Sequence, residues 1–322
     1  MFHITLPEAS PRPLPFYLAM EEYVARHIDA DDCFFLWQVS PTVIFGRNQL
    51  IDSEVNLDYC REHGIQTYRR KSGGGCVYAD MGNIMLSYIT RDERVNFTFN
   101  RYINLLALVL CRLGIDAKVT GRNDILIDGR KVSGNAFYHI PGRSIVHGTL
   151  LYDINMQHMV GSITPSDTKL VSKGVKSVRQ HITLLKDHLS LTIEELKAFI
   201  IDQLCKQEIS LDSEAVREIE RIEQTYHSHD FIYGNNPRYS TVRRGRIDGV
   251  GEFEVRMEVK NDVIKDIDIK GDYLLTGDIG AAVETPLKGK PLRREALEQA
   301  LPSDLSDIIA GLSRDELIRI IL

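Results

Sequence analysis

Cysteine is scarce in this sequence of 322 residues. There are five, Cys33, Cys60, Cys76, Cys111 and Cys205, and no CxxC occurs. An odd number with such wide spacing argues against a disulfide framework and a structural zinc site, and it points to a reducing cytoplasm. Long apolar runs are missing too. The longest, Ile103 to Cys111, falls well short of the ~20 residues that cross a bilayer. The opening MFHITLPEASPRPLP has no basic region followed by an apolar stretch. Neither a membrane span nor a secretory signal is expected. Positive charge is not in excess: 39 Lys and Arg stand against 45 Asp and Glu, a formal charge of −6. No global field draws in phosphates, so no nucleic-acid partner is expected, and an anionic ligand must be met by a local basic patch.

What is present is an ordinary globular composition, 43% hydrophobic and 26% charged. At ~150 residues per domain the length suggests about two domains. Prolines at 11, 13 and 15 predict an extended start, followed by a short helix over Leu18–His27. Cys33–Val39 and Thr42–Phe45 read as two strands split by Pro41. Thr67 to Thr90 reads as strand, glycine loop, strand. Arg101–Leu113 reads as a helix ended by Gly114. Further β-like runs continue through Tyr152, and 164–183 reads as a long basic loop. Thr192–Lys206 and Ser213–Tyr226 read as amphipathic helices. Gly234-Asn235-Asn236-Pro237 signals a loop. Beyond it come strict apolar alternation over Phe253–Val259, a strand to Ile269, and helical stretches near 291–300 and 313–321. Strands that do not alternate regularly with helices predict an α+β fold, with a larger unit over 1–240 and a small one over 241–322.

Three constellations could carry chemistry. Arg69-Arg70-Lys71-Ser72-Gly73-Gly74-Gly75-Cys76 sets three cations beside a backbone that no Cβ shields, which suits phosphate or carboxylate. It is not a P-loop, and a solvated surface turn fits as well. In the second, Asp128-Gly129 between β runs signals a two-residue hairpin. That turn would place Leu126 opposite Lys131 and Asp124 opposite Ser133. Asp124, Lys131 and Ser133 would then share a face, with Gly134 leaving room for a ligand. An ordinary cross-strand ion pair is the alternative. The third is the basic loop with Lys169, Lys173, Gly174, Lys176 and Arg179, either a cationic lid or a solvated segment. His147 reads more simply as a structural histidine, and Cys76 has no evident partner base. Arg243-Arg244-Gly245-Arg246 reads as a solvated turn or strand end.

Together and in order, RRKSGGGCVYADMGN (69–83), GRNDI (121–125), GRKVSGNA (129–136), HGTLL (147–151) and KLVSKGVKSVR (169–179) resemble the lipoate–protein ligase family. PFYLAMEEYV, FLWQVSPTVIFGRNQ and the later FIYGNNPRYS and GDYL are similar to it as well, the last two to its C-terminal accessory domain. The resemblance implies a catalytic domain over 1–240, folded like those of class II aminoacyl-tRNA synthetases and biotin–protein ligases, and an accessory domain over 241–322. It implies an ATP- and Mg2+-dependent ligase. Such an enzyme turns lipoate into lipoyl-AMP, then passes the lipoyl group to a lysine of a lipoyl domain. The implied acceptors are 2-oxoacid dehydrogenase E2 subunits or the glycine-cleavage H protein. Lys131 matches the lysine that touches the lipoate carboxyl and the α-phosphate. Arg69, Arg70, Ser72, Gly73, Gly74, Gly75, Cys76 and Val77 match the loop around the lipoyl chain and nucleotide. Asn83, Asn123, Asp124, Ser133, Gly134, Ala136, His147, Gly148 and Thr149 match the surrounding site, and Asp124 could also hold Mg2+. Residues 165–183 match a loop that covers the adenylate. Cys76, Ala79, Val146 and His181 depart from the family's usual Ala, His, His and Arg. The rival readings are an octanoyl or lipoyl transferase of the same fold and a non-catalytic lipoate-binding protein.

Overall fold

The computed structural model describes all residues except 9, 50, 92–93, 121–122, 164–180, 233–240 and 261, with the backbone alone at 52, 53, 95 and 96. The chain divides into two compact units. The first comprises Met1–Ile44, Asp52–Arg69 and Val77–Ile232; the second comprises Phe45–Ile51, Arg70–Cys76 and Tyr233–Leu322. Two short segments from the first hundred residues thus belong with the C-terminal unit. Sequence neighbours cannot reveal such a grouping.

The first unit is built on an eight-stranded sheet. Its strands are β1 (Phe2–Thr5), β2 (Asp32–Trp37), β6 (Asn83–Thr90), β7 (Ala117–Val119), β8 (Asp124–Ile127), β9 (Arg130–Ile140), β10 (Arg143–Leu151) and β11 (Gln207–Ser210). Their order is β11-β1-β2-β6-β10-β9-β8-β7. β1 runs parallel to both β11 and β2, and the pairs from β2 to β7 are antiparallel. A small second sheet has the order β4-β3-β5, from Gln66–Arg69, Thr42–Phe45 and Val77–Ala79. The expected mixed α+β class is what the chain adopts.

Two helices are longer than their sequence signals suggest. The first runs over Leu14–His27, not from Leu18, with Pro13 as N-cap and Pro15 in the first turn. Proline has no N–H to lose there, so it starts the helix rather than blocking it. The second runs over Val95–Arg112, not from Arg101. Phe99, Tyr102, Ile103, Leu106 and Leu110 are all buried, so its apolar stripe begins a turn before the expected start. The Leu14–His27 helix packs into a core that includes Phe35, Trp37, Met85 and Ile145.

The second unit holds an antiparallel meander of β12 (Thr241–Ile247), β13 (Gly251–Lys260) and β14 (Val263–Tyr273). The Arg243–Arg246 run is therefore inside a strand, not at a turn. Gly245 lets that edge strand sit against Ile320 of the last helix, since a Cβ there would lie 2.8 Å from its side chain. Helices Arg294–Ala300 and Arg314–Ile321 cover the sheet, burying Leu297, Leu317 and Ile321 with Val255, Met257 and Ile269. The Gly234–Pro237 stretch lies outside the described residues.

Candidate active site

The Asp-Gly turn forms as its composition predicts. Asp128 and Gly129 both have positive φ, 50° and 74°, the pattern of a primed hairpin turn. Pairing starts in the expected register, with Ile127 opposite Arg130 and Leu126 opposite Lys131. Then it shifts. Ile125 lies opposite Ser133 and Asp124 opposite Gly134, so Val132 is the extra residue of a β-bulge. The expected pairing of Asp124 with Ser133 is thus corrected by one residue. The bulge re-aims the side chains. Asp124 Oδ1 lies 2.8 Å from Lys131 Nζ. The ammonium fills the space over Gly134, where a Cβ would fall 3.0 Å from Nζ and 2.9 Å from Cε. Ser133 turns away from this pair, is fully buried, and accepts from Asn135 Nδ2 at 3.1 Å.

The pair is partly open, with 38% of the Lys131 side chain and 28% of Asp124 exposed. The Lys131 carbonyl accepts from Thr183 N at 2.9 Å, and Ile182 pairs with Lys131 as an isolated bridge. The expected lid is thus corrected at its end: Ile182 and Thr183, its last residues, are fastened at this lysine. Lys169, Lys173, Gly174, Lys176 and Arg179 lie outside the described residues, as do Gly121 and Arg122.

The β9–β10 ladder brings two motifs together. Ala136 faces His147, Asn135 faces Gly148, and Gly134 faces Thr149. His147 Nδ1 lies 3.1 and 3.0 Å from the two carboxylate oxygens of Glu21. Ser87 Oγ donates to Glu21 at 2.6 Å and receives Trp37 Nε1–H at 2.9 Å. Tyr138 donates to Glu21 at 3.4 Å, and burial, reinforced by Tyr226 and Glu21, pushes its phenol well above the usual range. Glu21 is fully buried, and sequence reasoning did not select it. Its one signal is a carboxylate pair inside the apolar run PFYLAMEEYV. Asn83 is also buried, and its Oδ1 accepts from Asp80 N, which makes it a turn former at the start of β6.

In the second unit the glycine loop is ordered from within. Arg70 is buried, donating to Ser72 Oγ at 2.9 Å and to the carbonyls of Gly73 and Gly75 at 2.6 and 2.8 Å. Burial lowers its pKa to about 10, which leaves it cationic at neutral pH. Gly74 N donates to Tyr273 O at 2.8 Å. A Cβ on Gly73 would lie 2.6 Å from that same carbonyl, and one on Gly75 would lie 2.8 Å from Asp272. In the first unit, Arg69 Nε donates to Ile232 O at 2.9 Å, and Val77 opens β5 opposite Ile44. Two of the three expected loop cations thus hold protein carbonyls. Cys76 is half-buried and in no disulfide.

Comparison with known proteins gives this geometry a context. Residues 13–205 match the family described as the lipoyl protein ligase A/B catalytic domain. Residues 236–321 match the bacterial lipoate protein ligase C-terminus. A lipoate-protein ligase of Bacillus subtilis is 33% identical over 319 residues, covering 94% of this chain and 95% of the relative. Among solved structures, P. falciparum LipL1 in complex with lipoate superposes with a TM-score of 0.79 at 21% identity, covering 99% of this chain and 98% of that one. A lipoate-protein ligase A bound with ATP gives 0.63 at 21% identity, over 72% of this chain and 98% of that one. By these matches over nearly its whole length, this chain belongs to the lipoate–protein ligases, enzymes of the ligase class.

Proposed function

We propose that this enzyme activates lipoate with ATP and passes the lipoyl group to a lysine of a lipoyl domain, in a 2-oxoacid dehydrogenase E2 subunit or a glycine-cleavage H protein. The lipoate carboxylate attacks the α-phosphorus of ATP, forming lipoyl-AMP as pyrophosphate leaves. The acceptor amine then attacks the acyl carbon, and AMP leaves with the electron pair of the broken C–O bond. Both partners in the first step are anions. A cation placed between them removes repulsion and stabilises charge that grows on the phosphoryl oxygens. The observation that supports this reading is the partly exposed Lys131, held by Asp124 with its ammonium in the space that Gly134 leaves free of a side chain. Lys131 is the proposed catalytic residue.

Asn123, Asp124, Ser133, Gly134, Ala136, His147, Gly148 and Thr149 make up its surroundings in the first unit. Of these, Ser133 and His147 are proposed to serve by shaping the sheet, since Ser133 Oγ and His147 Nδ1 face protein partners. Lys169, Lys173, Gly174, Lys176 and Arg179 are proposed to cover the adenylate. The loop Arg70–Cys76 is proposed to engage the lipoyl chain and nucleotide through backbone and Ser72, while Arg70 acts as its internal brace. The proposed division of labour is catalysis over 1–240 and accessory functions over 241–322. Among the described residues no group of three or more His, Cys, Asp or Glu side chains could hold a metal. Mg2+ is proposed to arrive on the ATP phosphates, where Asp124 could hold it, which suits an ion that keeps most of its waters. Among the described residues no helix is long and apolar enough to cross a membrane. Five cysteines outside disulfides fit the proposed cytoplasmic setting.

The test is pyrophosphate release in the presence of lipoate and ATP, followed by the mass of a lipoyl domain added afterwards. Release of pyrophosphate and a gain of one lipoyl group are expected. A mass gain without ATP when an acylated carrier protein replaces free lipoate, with the free carrier thiol as leaving group, would mark a transferase, and lipoate binding with neither outcome would mark a non-catalytic binding protein.

A further inference from the structure

Asn135 has no role in the scheme above, and its surroundings are unusual. It is 3% exposed and follows Gly134, over which the Lys131 ammonium lies. Its Nδ2 donates to Asn123 O at 3.0 Å, and its backbone N donates to the same carbonyl at 3.1 Å. In return Asn123 Nδ2 donates to Asn135 O at 3.0 Å. Each amide side chain thus bonds the other residue's main chain. Asp124 is the next residue along. Thr120 holds it from the other side: Thr120 N donates to Asp124 O at 2.9 Å, and Asp124 N donates to Thr120 Oγ1 at 3.3 Å. The backbone flanking Asp124 is therefore pinned at both ends, and its carboxylate is left pointing at Lys131.

The arrangement has a cost. Asn135 Oδ1 is buried and takes no hydrogen bond among the described residues. It occupies the place where Gly148 has no side chain, since a Cβ there would fall 2.0 Å from it. A buried acceptor without a donor destabilises the fold, and an apolar residue at 135 would avoid that penalty. What the amide provides and an apolar residue cannot is a second bond to the Asn123 carbonyl, beside the one made by its own backbone N–H.

We propose that Asn123 and Asn135 form a reciprocal clamp, and that Asn135 is a positioning residue whose task is to fix where Asp124 holds Lys131. This rests on the proposed role of Lys131 in adenylation. It also reassigns Asn123, whose Nδ2 is committed to the clamp.

The test compares Asn135→Ala, Asn123→Ala and the double variant by three measurements. These are melting temperature, kcat and KM for pyrophosphate release, and the rate at which an N-hydroxysuccinimide ester acylates Lys131, read by peptide mass spectrometry. The third needs no ligase activity. Misplacing a catalytic group slightly can cost as much as a hundredfold, so kcat is expected to fall about tenfold to a hundredfold with KM for ATP within about threefold. Lys131 should be acylated faster in both variants, because an amine released from its carboxylate is freer to attack the ester carbonyl, from which N-hydroxysuccinimide leaves. Each change removes one of the two reciprocal side-chain bonds, and a clamp that holds only with both in place makes the double variant no slower than the worse single one.

Parent kcat and labelling in Asn135→Ala, a loss confined to KM, a loss of kcat with unchanged labelling, or additive losses would each overturn the clamp. If the parent releases no pyrophosphate while the labelling differences appear, the ligase reading fails and the clamp stands. Should Asn135→Ala not fold, Asn123→Ala removes a single donor from a half-buried side chain and allows the same comparison.

Discussion

Glu21–His147 and Lys131–Asp124 are both acid–base pairs on the eight-stranded sheet, at 3.0 and 2.8 Å. They differ in their surroundings. The Glu21 side chain is 0% exposed and His147 9%, and Ser87 and Tyr138 also bond to that carboxylate. Lys131 and Asp124 keep about a third of their surface in solvent. Water has been removed from the first pair, so every polar atom must be matched by protein, and breaking one link strands the others. The second pair can open to solvent at little cost, which suits the proposed exchange of Asp124 for the anion of a ligand at Lys131. The first pair stabilises the sheet that carries the second.

The sharpest way to break this contrast is Glu21→Ala. It strands His147, Ser87 and Tyr138 in the interior and is expected to cost about 3–5 kcal/mol of stability. Urea denaturation measures this, and a loss under about 1 kcal/mol would mean the network is not structural. Lys131→Ala should do the reverse. Its stability should stay within about 1 kcal/mol of the parent, because an exposed pair contributes little. Adenylation should drop by about 10²–10³-fold, the usual effect of removing a transition-state donor. A folded Lys131→Ala protein with normal pyrophosphate release would sink the assignment. Asp124→Asn keeps the shape and removes the charge that aims Lys131. A fall of about tenfold in kcat is expected, smaller than for Lys131 itself because the lysine remains. Equal losses in the two variants would shift the catalytic role toward the carboxylate. Cys76→Ala should change the rate by no more than about twofold, the effect of a neutral small-residue exchange. Loss of activity with a thioester trapped on the parent would instead favour the transferase reading.

Local signals were readable from the sequence, and those that depend on distant chain were not. Asp128-Gly129 specified its turn and the first two pairs of the hairpin, since a primed turn fixes register locally. The bulge at Val132 depends on how β9 meets both β8 and β10, and no residue type announces it. That one residue decides whether Asp124 faces Ser133 or Gly134. The glycine loop was visible as three consecutive glycines, but the reason for them was not, because Tyr273 and Asp272 lie about 200 residues away in sequence. The parallel strands β1 and β11 are also joined over that separation and carry no local mark. Glu21 escaped notice because a carboxylate in an amphipathic helix ordinarily marks the solvent face, and here it marks a buried partner on β10.

The bond from Thr183 N to Lys131 O limits how this region of the chain can change length. Beyond Thr183, Leu185 is fully buried, and Ile182 packs with Leu151, Ile154 and Met156. An insertion between 182 and 185 would pull one of these anchors out of place and carry the Lys131 backbone with it. An insertion upstream of His181 leaves the attachment intact. Relatives that differ in length here should therefore keep the spacing from 182 to 185 constant.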